Sequence, residues 1–169
     1  VLKHNETNNV FDYQLMSLGS GDIEPSGFAK QDSDIDHVIT DINRVVYGFV
    51  YSGFIPTYKF FDEDVDARFK RIRDMFTDHS VFLQSWSDDF LSLVVYVSGN
   101  SAPGDYYLFE KGKKPVYLAT SRANIDPGSI NPVGQLTVTA RDGFEIPTLV
   151  TIPKISLANM KNLPAVLLP

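Results

Sequence analysis

The chain has 169 residues, of which 43% are hydrophobic and 21% charged, a balance that fits a folded globular piece and argues against disorder. A chain of this length buries about 70% of its unfolded surface, in one core or two small ones. Its formal net charge of −6 argues against a nucleic acid or an anionic membrane as partner, since either wants a basic patch.

Other classes fall away on residue content. There is no cysteine, hence no disulfide, thiolate nucleophile or cysteine-based metal site. No apolar run approaches the ~20 residues that span a bilayer, and no signal-peptide pattern opens the sequence. A chain that begins at Val1 without Met is expected to be an excised or processed piece, so no compartment is assigned.

In chain order, Asn5-Glu6-Thr7 forms an N-glycosylation triplet, meaningful only in a secreted context. Gly19-Ser20-Gly21 superficially resembles a serine nucleophile motif. Gly-x-Ser-x-Gly needs a glycine two residues either side of the serine, and Leu18 and Asp22 stand there, so a turn is expected. Asp32, Asp34 and Asp36 alternate as in the first half of an EF-hand loop, but His37 and Asn43 occupy the positions of the required Gly and Glu. A solvated turn entering a strand is the better reading. The three histidines, His4, His37 and His79, lie in separate segments without a zinc-binding spacing.

The first two-thirds reads as short strands between polar turns. Val38 to Ser52 and Ser85 to Ser98 share a shape, a polar turn centred on Asp41 or Asp88 and then a strand ending in an aromatic. The two aspartates lie 47 positions apart, close to the period of propeller blades. The second unit continues through Asp105 to Glu110, a Lys-Gly-Lys turn at 111 to 113, and Pro115 to Ala119. Tyr47, Tyr51, Phe54, Tyr58, Phe60 and Phe61 crowd the first unit, and strand alternation sends about half of them inward, which favours a core over a ligand platform.

One helix is expected from about Asp62 to Phe76. Asp62 is a good N-cap, Glu63, Asp64 and Asp66 put negative charge in the first turn, and Arg68, Lys70, Arg71 and Arg73 follow. Val65, Phe69, Ile72 and Phe76 form one apolar stripe, so the helix should pack on the protein.

Towards the end, Gln135 to Ala140 and Phe144 to Ile152 are rich in Val, Thr, Ile and Leu, with Arg141-Asp142-Gly143 between them, a β-hairpin signal. Pro147 and Pro153 fit an edge or a strand end. Leu163 to Leu168 is apolar without alternation, which suits a strand buried on both faces of a parallel sheet.

This ending, Thr137-Val-Thr-Ala-Arg-Asp-Gly-Phe-Glu-Ile-Pro-Thr-Leu-Val-Thr-Ile-Pro153 and then Asn162-Leu-Pro-Ala-Val-Leu-Leu-Pro169, resembles the seam of prolyl-oligopeptidase-family serine peptidases, where a β-propeller hands over to an α/β-hydrolase domain. The resemblance spans roughly residues 34 to 169. It is most specific from Arg122 onward, where Ser121-Arg-Ala-Asn-Ile-Asp-Pro127 is similar to the family's interdomain connector. The helix after Tyr58-Lys-Phe-Phe-Asp62 is similar to an insertion in the acylaminoacyl-peptidase and dipeptidyl-aminopeptidase branch.

The resemblance implies a mainly β chain: a partial propeller of about two blades with one inserted helix over 1–120, a connector over 121–133, and the first strands of an α/β-hydrolase domain over 134–169. It places a His-Gly-Gly-like oxyanion loop and the serine, acid and base after Pro169. No residue of this chain is assigned as catalytic, cofactor-binding or metal-binding, and no cofactor is expected. The implied partners are the rest of the propeller and hydrolase domain, short peptides reaching the parent's active site, and a second copy of the chain through unpaired strand edges. The rival reading, from a different class, is a stand-alone propeller-type module that binds protein or glycan.

Overall fold

The computed structural model describes residues 1–5, 10–30, 33–100 and 102–168. Among these residues it is mainly β, with one α-helix and four small antiparallel sheets, none of them closed. The chain divides into two compact units, Val1–Phe82 and Leu83–Pro169. Glu6, Thr7 and Asp32, and with them the glycosylation triplet and the first EF-like position, lie outside the described residues.

The first unit holds two three-stranded sheets. Strands β1 (Leu2–Asn5), β2 (Val10–Met16) and β3 (Ile23–Pro25) form one, in the order β1-β2-β3. Gly19-Ser20-Gly21 lies in the turn between β2 and β3, where the Gly21 amide donates to the Ser17 carbonyl at 2.9 Å and Gly21 takes φ 78°. Strands β4 (Ile35–Thr40), β5 (Val46–Tyr51) and β6 (Thr57–Phe60) form the other as a meander. Gly48 is required in β5 because a Cβ there would run into the backbone of Lys59 and Phe60 on β6. Ile35, Phe49 and Tyr51 make one buried cluster, with Tyr13, Phe28 and Val38 packed against it.

Helix α1 (Glu63–Asp74) follows β6. The Asp62 carboxylate accepts the Val65 amide at 2.9 Å, satisfying one of the donors that a helix start leaves orphaned. Phe69 and Ile72 are buried, as their spacing predicts, and Arg71 is exposed. The Phe69 ring meets Tyr58 at 4.6 Å and Phe60 at 5.5 Å, both edge to face. Of the six crowded aromatics, Tyr51 and Phe60 are fully buried, while Phe54 and Phe61 are exposed.

In the second unit β7 (Ser80–Trp86, which straddles the division), β8 (Ser92–Gly99), β9 (Ala102–Glu110) and β10 (Val116–Thr120) form a four-stranded meander. Leu93, Val95 and Val97 alternate inward along β8, the period of two expected of a strand with one buried face. The Lys111 to Lys113 turn has Gly112 at φ 78°. Beyond it come the 3₁₀ turn η1 (Pro127–Ser129), the hairpin β11 (Val133–Thr139) and β12 (Glu145–Thr151), and the 3₁₀ turn η2 (Lys154–Ser156). In the hairpin turn the Gly143 amide donates to the Ala140 carbonyl at 3.0 Å, with Gly143 at φ 87°. That places the glycine where a left-handed residue is needed.

Leu163 to Leu168 is a correction. The segment has no strand structure, and Val166, Leu167 and Leu168 are 90%, 87% and 85% exposed. Non-alternating apolar sequence specifies a buried strand only where neighbouring strands supply ladders on both sides, and none among the described residues pairs with it. Pro164 further removes a donor.

Candidate functional site

Two features of the sequence recur in three dimensions. The turn between β4 and β5 starts at Asp41: its carbonyl accepts the Arg44 amide at 3.1 Å and its carboxylate accepts the Val45 amide at 2.8 Å. The turn between β7 and β8 starts at Ser87: its carbonyl accepts the Phe90 amide at 2.7 Å and its hydroxyl accepts the Ser92 amide at 2.9 Å. Arg44 and Phe90 close the two turns in left-handed conformation, at φ 63° and 54°. The structural repeat therefore runs from Asp41 to Ser87, one residue short of the aspartate spacing. Phe90 tolerates this uncommon conformation while buried and stacked on Trp86 at 5.7 Å. The Val45 amide holds the Asp41 carboxyl below its ordinary pKa, because a donor stabilises the charged form.

The connector after β10 is clamped onto the start of β9. The Gly104 carbonyl accepts from the Ser121 amide at 2.7 Å, the Ser121 hydroxyl at 3.0 Å and the Thr120 hydroxyl at 3.2 Å. The Arg122 guanidinium adds a bond to the Pro103 carbonyl at 3.2 Å. Gly104 sits at φ 121°, and a Cβ there would collide with the side chains of Tyr96 and Ser121. Further along, Asp126 caps η1 through the Gly128 amide at 3.0 Å. Lys154, just after β12, donates its backbone amide to Asn131 Oδ1 at 3.1 Å and its ammonium to the Gly128 carbonyl. Residues 121–133 are thus tied at both ends, to β9 and to the foot of the hairpin.

The other candidates resolve into structural roles. Asp34 accepts the Phe11 amide at 2.8 Å, joining the entry of β4 to β2. Asp36 and His37 form an exposed pair at 3.0 Å, a contact worth little in water. His4 packs on Phe11 across the β1–β2 ladder, ring centroids 5.1 Å apart, and the His79 ring contacts the Thr77 carbonyl at 2.8 Å. Among the described residues no group of three or more His, Asp or Glu is placed to hold a metal ion, and no helix is long and apolar enough to cross a membrane.

One cluster has no signal in the sequence. Lys30 lies over the Tyr51 ring at 3.7 Å and donates to Thr57 Oγ1 at 3.1 Å, and the Tyr51 hydroxyl donates to the Phe28 carbonyl at 2.8 Å. Asp12, on β2 of the other sheet, is buried with Oδ1 lacking a partner. Burial first, and then the charges of Asp12 and Asp66, push the Tyr51 phenol above its ordinary pKa. Tyr51 is therefore held as a neutral donor, the opposite of an activated nucleophile. Nothing in strand periodicity distinguishes Asp12 from an outward polar residue, and Gly104 is marked only by the Ala102-Pro-Gly-Asp105 turn-like composition.

No family model matches this chain, and comparisons with curated proteins and with solved structures give no match.

Proposed function

We propose that this chain is the blade-and-seam segment of a serine peptidase resembling the prolyl oligopeptidase family, serving as scaffold and substrate gate. The observation that carries the reading is an order of parts. Two meanders opened by the same kind of turn are followed by a connector tied at both ends and then by a separate hairpin. The β7–β10 sheet has the four antiparallel strands of a propeller blade. Closure of a propeller takes about four blades or more, so the reading requires further blades in the parent.

In such a parent a serine attacks the acyl carbon of a short peptide, a histidine carries the proton, and backbone donors hold the oxyanion. The part played by this chain is positional. Blades restrict entry to small peptides, and the connector fixes where the hydrolase strands begin. The rival, a protein- or glycan-binding module, draws on the exposed Phe54 and Phe61, but it gives no role to the clamped connector.

Labelling of the natural protein tests the proposal. Captured with an antibody raised against this chain and treated with a fluorophosphonate, the polypeptide that carries these residues should take up the probe at a serine. Absence of labelling on a folded, intact protein would refute it.

A further inference from the structure

The turn that joins β11 to β12 is Ala140-Arg-Asp-Gly-Phe144. In it the Asp142 carboxylate accepts the Phe144 amide, two residues on, at 3.1 Å. A carboxylate bonded in that way is folded back over the amide nitrogen of the intervening residue, here Gly143. Asp142 and Gly143 are both exposed. Gly143 has φ 87°, and nothing lies within 4 Å of the place a Cβ would take.

The same fold-back recurs among the described residues, with a different intervening residue each time. Asp89 accepts the Leu91 amide at 2.9 Å, but the nitrogen between them belongs to Phe90, which is buried and donates to the Ser87 carbonyl at 2.7 Å. Asp126 accepts the Gly128 amide at 3.0 Å, but the nitrogen between them is that of Pro127, which carries no proton. Asn159 accepts the Lys161 amide at 3.3 Å, and Met160 between them carries a side chain beside its nitrogen, where Gly143 has none. No other Asp or Asn of the chain is followed by glycine. Asp142 alone, among the described residues, therefore sets its carboxyl carbon against an unshielded N–H. That N–H donates to the Ala140 carbonyl at 3.0 Å, but the bond lies in an exposed turn, where local opening is cheap.

We propose that Asp142 is a site of spontaneous backbone isomerisation, passing to isoaspartate through a succinimide closed by the Gly143 nitrogen. That nitrogen bonds to the Asp142 Cγ, and its proton and the hydroxyl of the carboxylic acid leave as water. Water then adds to the main-chain carbonyl carbon of the ring, and the bond from that carbon to the Gly143 nitrogen breaks. The nitrogen recovers a proton, the former main-chain carbonyl becomes a free carboxylate, and the chain runs on through Cβ and Cγ. One water leaves and one enters, so the composition is unchanged and no oxidant or reductant is consumed.

The new main chain has one more carbon between Asp142 and Gly143. The turn is closed by the Gly143 amide on the Ala140 carbonyl and by the Ala140 amide on the Phe144 carbonyl, at 3.0 and 2.8 Å. The ladder starts directly beyond, at Thr139↔Glu145. A carbon added inside the turn cannot keep both closing bonds, so isomerisation loosens this end of the hairpin. The inference rests on the turn alone and does not depend on the peptidase reading.

Ageing the folded chain at neutral pH in water enriched in the heavy oxygen isotope, followed by digestion in ordinary water and mass spectrometry, tests it. The peptide containing Asp142 should gain one heavy oxygen about tenfold faster, or more, than those containing Asp89, Asp126 or Asn159. A share of it should also resist the endoproteinase that cuts before aspartate. Gly143→Ala, which puts a methyl beside the attacking nitrogen, should slow the uptake about tenfold. Asp142→Asn keeps the acceptor and the glycine but expels ammonia, a better leaving group than water here, and should reach the same product faster. That variant separates ring closure from any effect of Gly143→Ala on folding. A folded wild type that takes up no heavy oxygen at Asp142 would overturn the proposal, whether or not the urea-unfolded chain does so. Equal uptake at Asp89 or Asp126, or an Asp142→Asn chain that reacts no faster than the wild type, would overturn it as well.

Discussion

Truncating Phe69 should unfold the first unit at a markedly lower urea concentration. The side chain is 1% exposed and fills the space between α1 and β6, touching Tyr58 and Phe60 ring to ring. Phe→Ala in a packed core costs about 3–5 kcal/mol, and the two edge-to-face contacts, about 0.5–1.5 kcal/mol each, place this site in the upper part of that range. With a urea m-value of about 2 kcal/mol/M for a small unit, the midpoint should fall by about 2 M. Phe69→Asp would add a buried charge and cost more. Arg71→Ala, two residues on and exposed, should cost well under about 1 kcal/mol. Circular dichroism at 222 nm follows α1, the one α-helix among the described residues. Equal midpoints for Phe69→Ala and Arg71→Ala would refute the packing drawn here.

Three further outcomes are expected. Gly104→Ala should cost more than about 1 kcal/mol, because alanine is strained at φ 121° and its methyl meets Tyr96 and Ser121; proteolysis should then cut the connector near Ser121 faster than in the wild type, and unchanged cleavage would count against the clamp. Asp41 has a folded pKa below its ordinary value, so its contribution is complete above about pH 4, the unfolded pKa, and is lost as pH falls through the folded value. The urea-midpoint gap between wild type and Asp41→Ala should therefore shrink from pH 7 to pH 3, and a constant gap would contradict the assigned bond to Val45. The purified chain should hydrolyse aminoacyl anilides and simple esters no faster than buffer, and turnover abolished by a serine or histidine change within these residues would show the site assignment to be wrong.

Local signals with a single physical solution were legible in the sequence. Asp62 with an acidic first turn and the stripe through Phe69 defined α1, and Asp142-Gly143 between two β-rich runs defined the hairpin. The repeat was visible through Asp41 and Asp88, but the structure aligns Asp41 with Ser87, since a hydroxyl and a carboxylate serve equally as acceptors at the start of such a turn. What was not legible depends on partners distant in sequence. Leu163 to Leu168 has the composition of a buried strand and no neighbour among the described residues to bury it. Gly104 becomes an anchor only when β10 returns to β9, and the burial of Asp12 depends on tertiary packing that the β2 sequence does not announce. Strands β1 and β3, of four and three residues, are too short for periodicity to register.

Whether these residues are the blade-and-seam segment of a serine peptidase is decided by the coding sequence of the parent beyond Pro169. A His-Gly-Gly-like loop close after the proline, with a Gly-x-Ser-x-Gly elbow well downstream, is the predicted result. A stop codon within a few residues of Pro169 would contradict it.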